Sequence, residues 1–199
     1  MPPYRRPSQK EKPVNSVPES ATGTVPASAG TAALPHVTAL LRHFGDLRDG
    51  SHGEATSRRG KEDLFLSAVA LLAPYALEAL EEVNAHLLNG TGKVEGTGVR
   101  RTADGGVAAL WTLSWPEQRS EGIEPITLAA HYGRNFHHPH LRGATVGEWP
   151  LNVFTPAQAK AELPTLRAII TADLHNLVFQ RDFRIVPATM AAVGSDHTN

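Results

Sequence analysis

The sequence predicts an α+β domain made of an N-terminal helix, an antiparallel four-stranded meander and a long C-terminal helix packed on the sheet. Three observations carry this. Apolar residues recur every three or four positions over residues 64–87, four extended segments separated by turn residues follow, and helical spacing returns over residues 163–177 behind a capping signal. At 199 residues the chain has room for one domain and an appendage.

Residues 1–33 carry Pro2, Pro3, Pro7, Pro13, Pro18 and Pro26 among Ser, Thr, Ala and Gly. Such a segment buries too little apolar area to offset about 1–2 kcal/mol of backbone entropy per residue, so it reads as a disordered tail. Residues 34–59 form a short helix and linker. Val37, Leu40, Leu41 and Phe44 make one helical face that Gly45 should end, and residues 49–61 have the composition of turns and solvent. The domain proper spans 60–187. It opens with a helix from Glu62 that Pro74 should kink or restart and Asn89-Gly90 should close.

Residues 93–101 and 107–115 flank Ala103-Asp104-Gly105-Gly106, the signal of a tight hairpin. Residues 125–132 and 149–154 read as the third and fourth strands. Thr155-Pro156-Ala157-Gln158 is a capping-box pattern with Pro at the first helical position, and the helix it opens should run to about Phe179. Leu166, Ile170 and Leu177 should pack on Leu113, Leu128 and Val153. Residues 183–186 read as a short extended segment, and 188–199 as a flexible C-terminus.

Composition narrows the functional classes. Lys+Arg 19 against Asp+Glu 20 leaves a net charge of −1, which provides no field to hold a polyanion, so no nucleic-acid partner is expected despite Arg100, Arg101, Arg119, Arg134 and Arg142 near several aromatic residues. No uninterrupted apolar run reaches the roughly 18 residues of a membrane span, and the basic N-terminus lacks the apolar stretch of a signal peptide. A cytoplasmic protein without a membrane partner is the expectation. Cysteine is absent, which removes disulfides, thiolate metal sites and cysteine nucleophiles. No G-x-S-x-G elbow and no phosphate-binding glycine frame is present, and no carboxylate pair stands out by spacing, so no catalytic residue is assigned.

The densest chemical signal is the segment 131–143, where His131, His137, His138 and His140 fall within ten residues. Imidazole is the commonest neutral ligand for divalent transition metals. On extended backbone His138 and His140 would share a face, with His131 as a further ligand, or His175 held by Asp173. A His-rich metal-binding enzyme is thus one reading. The spacing matches no HExxH frame, and polar turn histidines that cap backbone groups are the plainer reading.

The order of elements, together with His138-Pro139-His140 and the later Gly147-Glu148-Trp149-Pro150-Leu151, resembles the ubiquitin-conjugating-enzyme-like fold superfamily. There a His-Pro-Asn string precedes a Gly-x-x-Cys-Leu segment bearing the catalytic cysteine. Here Pro150 stands where the cysteine would be and His140 where the asparagine would be. The resemblance implies a non-catalytic variant, a protein-interaction domain that binds a ubiquitin-like protein or a partner enzyme. Phe136, Arg142 and Trp149 are its expected partner-binding anchors. Without a sulfur nucleophile it forms no thioester.

Overall fold

The structure, a computed structural model, describes residues 34–193. The tail expected over 1–33, and 194–199 of the expected flexible C-terminus, lie outside the described residues.

Helix α1 (Pro35–Asp49) starts with Pro in its first turn and runs straight through Gly45. Gly45 was expected to end it. A helical interior tolerates one glycine at about 1 kcal/mol, and the true stop is Gly50, whose φ of 66° lets its N–H reach back to the Asp46 carbonyl. The apolar face of α1 points outward, with Val37, Leu41, Phe44 and Leu47 exposed. Among its described side chains, His43 and Asp46 are the buried ones.

Helix α2 (Arg58–Leu87) begins where the Ser57 hydroxyl accepts from the Gly60 N–H at 3.1 Å. It continues through Pro74 as one element of 30 residues, so the proline does not restart it. Phe65, Ala68, Leu72, Ala76, Ala79, Leu80 and Val83 form its buried stripe at steps of three and four. By length and composition alone α2 would be long and apolar enough to cross a membrane, although charged residues interrupt its apolar runs. In the fold its stripe is the centre of the core.

The sheet has six antiparallel strands, not four. They are β1 (Lys93–Gly96), β2 (Arg100–Arg101), β3 (Val107–Ser114), β4 (Ile126–Tyr132), β5 (His140–Arg142) and β6 (Trp149–Pro150). Strand order is β1-β3-β4-β5-β6, with β2 also paired to β3. The expected hairpin exists, but Gly98, at φ 63°, interrupts its first arm and divides it into β1 and β2. Residues 149–154 pair over only two positions, and β5 comes from the His-rich segment read as a turn. Strands β3 and β4 bury Ala109, Trp111 and Leu113 beside Ala130, Leu128 and Ile126 in register. The short helix α3 (Pro116–Ser120) joins them.

The capping box at Thr155 is realised. Its hydroxyl accepts from the Gln158 N–H at 3.2 Å, and Gln158 Oε1 accepts from the Thr155 N–H at 3.1 Å. The helix it opens is split into α4 (Pro156–Ala161) and α5 (Leu163–Gln180), because Pro164 cannot donate into a continuing helix. Leu166 and Ile170 join Leu113, Leu128 and Val153 in one buried cluster, with Leu177 packed at its margin. A 3₁₀ turn over Phe183–Ile185 replaces the expected extended segment, since Asp182 Oδ1 accepts from the Arg184 N–H at 2.8 Å and curls the backbone. The chain beyond 187 was expected to be flexible. It forms helix α6 (Pro187–Val193), opened by a proline.

Candidate metal centre

Two of the buried polar side chains lie one turn apart on α1. His43 and Asp46, three residues apart, share the helix face turned toward the body of the domain. After the Gly50 stop the chain doubles back, with reciprocal backbone bonds between His52 and Ala55 at 2.9 and 3.1 Å. Gly53, at φ 56°, sits against the Phe154 ring, where any β-carbon would lie 2.9 Å from a ring carbon. The Asp46 carboxylate accepts from the Gly53 N–H at 3.0 Å and the Ser51 hydroxyl at 3.3 Å. This tight loop drives the His52 ring fully out of solvent, 5.0 Å from Phe154. The linker read as solvent-facing therefore contributes one of the most buried polar residues in the fold.

His138 arrives from the other side. It lies just before β5, where the Leu151 N–H fastens the Pro139 carbonyl at 3.1 Å. Lys61, buried on α2, donates from Nζ to the carbonyls of Gly50 at 2.8 Å and His137 at 3.2 Å. One ammonium thus ties the two chain segments that carry His52 and His138.

One ligand atom from each of Asp46, His52 and His138 lies within 4.8 Å of the others, and all three residues are buried. His52 Nδ1 stands 3.8 Å from Asp46 Oδ2. That exceeds hydrogen-bond length. It is close to the separation of about 3.4 Å that two ligands have on a tetrahedral ion with bonds of about 2.0–2.1 Å. Both ring nitrogens of His52 and both of His138 are buried with no hydrogen-bond partner, as is Nδ1 of His43, whose ring lies 5.0 Å from His138. An unsatisfied buried polar atom costs about 1–3 kcal/mol. An ion between the two rings would take up one nitrogen of each.

Burial depresses the basicity of these rings. It is the largest influence on His52 and His138, both pushed down to about 4, and it also lowers His43 and His140. The Asp46 carboxylate opposes the shift at His52 and His138, and neighbouring cations and histidines reinforce it. The imidazoles are neutral at pH 7, the state in which a ring nitrogen binds a metal. The set of imidazole and carboxylate without thiolate suits zinc, iron(II), nickel or copper(II).

Of the metal ligands named from sequence, only His138 belongs to this group. His140 opens β5, half-buried, with its Nδ1 unpartnered. His131 faces it across the β4–β5 ladder, and its Nε2 contacts Glu148 Oε2 at 2.7 Å. His175 is not brought to the site. Its contacts lie on α5, with Asn176 and the stacked ring of Phe179. Asp173 does not orient it, because that buried carboxylate accepts from the N–H groups of Ala144 and Thr145 at 2.7 and 2.8 Å, against a Gly143 that leaves no room for a side chain.

Sequence reasoning missed His43, Asp46 and His52. The signal was a histidine, a carboxylate and a second histidine at steps of three and six, the last between serine and glycine. The three named partner anchors also part company. Phe136 and Arg142 border a cleft that includes His131 and Glu148, whereas half-buried Trp149 borders a different cavity with Arg42, Asn152 and Glu162. In comparisons with known proteins, no protein-family model, no curated protein and no solved structure matches this chain.

Proposed function

We propose that this protein binds a divalent transition-metal ion, zinc being the first to test, at Asp46, His52 and His138, with His43 as the adjoining donor. The observation that carries the reading is the convergence of three ligand atoms within 4.8 Å among ring nitrogens that have no other partner. The role is to fasten α1. Among its described side chains only polar ones are buried. Beside the hydrogen bonds that Arg42 and Asn152 make between α1 and the segment after β6, an ion shared by α1, the loop after it and the segment before β5 would add a strong tie. Between the metal reading and the interaction reading that the sequence admits, the first is chosen because a specific geometry supports it. Exposed Phe136 and Arg142 support the second only as surface residues.

The test is elemental analysis of untagged protein after gel filtration in trace zinc. About one ion per chain is expected, lost in the His52→Gln, His138→Gln double variant. Chelation should lower the melting temperature by about 5–10 °C if the ion is present at a hundredfold its dissociation constant. A wild-type protein that retains no Zn²⁺, Co²⁺ or Ni²⁺ overturns the reading.

A further inference from the structure

The centre is closed to solvent, so an ion needs a way in. Rings lead outward from it in sequence: His52 to His138 at 6.0 Å between centroids, His138 to His43 at 5.0 Å, His43 to His140 at 6.1 Å, and His140 to His131 at 5.9 Å. His131 then meets Glu148 at 2.7 Å. Exposure rises along the same path. His52, His138 and His43 are 0, 1 and 7 % exposed, His140 is half-buried, and the side chains of His131 and Glu148 are 14 and 39 % exposed.

We propose that this string is the route by which a divalent transition-metal ion reaches the centre, with Glu148 and His131 as the surface site that acquires it. The inference rests on the metal reading above. Each step moves the ion from one ring to a neighbour 5–6 Å away by ligand exchange, so no ligand has to cross the protein. Unpartnered nitrogens at His43 Nδ1 and His140 Nδ1 leave donors open in the middle of the path. A proton relay would instead need the rings hydrogen-bonded nitrogen to nitrogen. The inner rings are not, since the nitrogens of His52 and His138 and the Nδ1 atoms of His43 and His140 have no hydrogen-bond partner. At the mouth the Glu148 carboxylate attracts cations, and Asp104 borders the same cleft, with Arg142 opposing them. The Phe136 ring lies edge-on to both His131 and His140, at 5.4 and 5.1 Å.

The experiment mixes metal-free full-length protein with Co²⁺ in a stopped-flow spectrometer and follows the visible absorption of the bound ion, with equilibrium stoichiometry measured in parallel. Glu148→Gln and His131→Gln should each slow loading about tenfold while reaching the wild-type stoichiometry and spectrum. Loading at the wild-type rate in both variants overturns the route and means that the ion enters by opening of α1. Loss of the final stoichiometry in Glu148→Gln makes Glu148 a permanent ligand and overturns it as well. A wild-type protein that takes up no Co²⁺ fails at the centre, and the metal reading falls with the route.

Discussion

Lys61 is a cation inside the protein, and burial, its largest influence, lowers its pKa from the ordinary lysine value. Its two acceptors are carbonyls that sit two residues before His52 and one before His138. Lys61→Met keeps the apolar stem and removes the ammonium. Both ligand-bearing segments then loosen, and zinc affinity should fall about 10–100-fold by chelator competition while the far-ultraviolet dichroism stays unchanged. An unaltered affinity would reduce Lys61 to a packing residue. Asp104 offers a pH test away from the centre. The Thr102 hydroxyl first, and the N–H groups of Arg134 and Gly106 after it, hold its carboxyl down to about 2. A depressed carboxylate stabilises the fold above its unfolded value of 3.8 and loses that contribution as pH falls toward 2. Asp104→Asn should therefore flatten the acid limb of stability between about pH 4 and 2 in urea titrations at fixed salt. An unchanged limb would show that the turn does not depend on the charge.

Helix α1 and helix α2 are opposite cases of one rule. The stripe of α2 is apolar and faces inward, so its period announces both the helix and its buried side. In α1 the period announces the helix and misleads about its orientation, because the apolar face looks outward and the polar face holds His43 and Asp46. Strand β3 was legible from the Asp-Gly turn at residues 103–106 that precedes it, and β4 from the extended run 125–132. Strand β5 was not, since three residues are too few to show a period, and of the run read as a strand over 149–154 only the first two residues pair, as β6. His52 was illegible for a related reason. A glycine-serine composition that reads as solvent describes equally well a loop compact enough to bury a ring. Hydrogen exchange should separate the two helices: without metal, α1 amides exchange far faster than those of α2 beside Leu72 and Leu80, and zinc slows α1 selectively. Equal protection of α1 with and without the ion would remove the fastening role.

At the scale of the molecule, α2, α5 and the inner face of the sheet make one apolar core, while the candidate metal centre is built from buried polar side chains. The two should respond separately. Ile170, fully buried on α5, fills that core, and Ile170→Ala should lower unfolding free energy by about 2–5 kcal/mol in denaturant while zinc stoichiometry is unaffected. Loss of metal binding together with stability would mean that core and centre fold as one unit. The placement of the ligands on either side of Gly50 has a consequence of its own. His43 and Asp46 precede this glycine, and His52 and His138 follow it, so a single peptide-bond cut after Gly50 divides the donor set between two fragments. The N-terminal piece would then be a two-ligand peptide and the remainder a two-ligand receptor, which zinc should bring back together. With the proposed donor set divided in this way, metal-dependent complementation of the two fragments is the outcome the metal reading predicts.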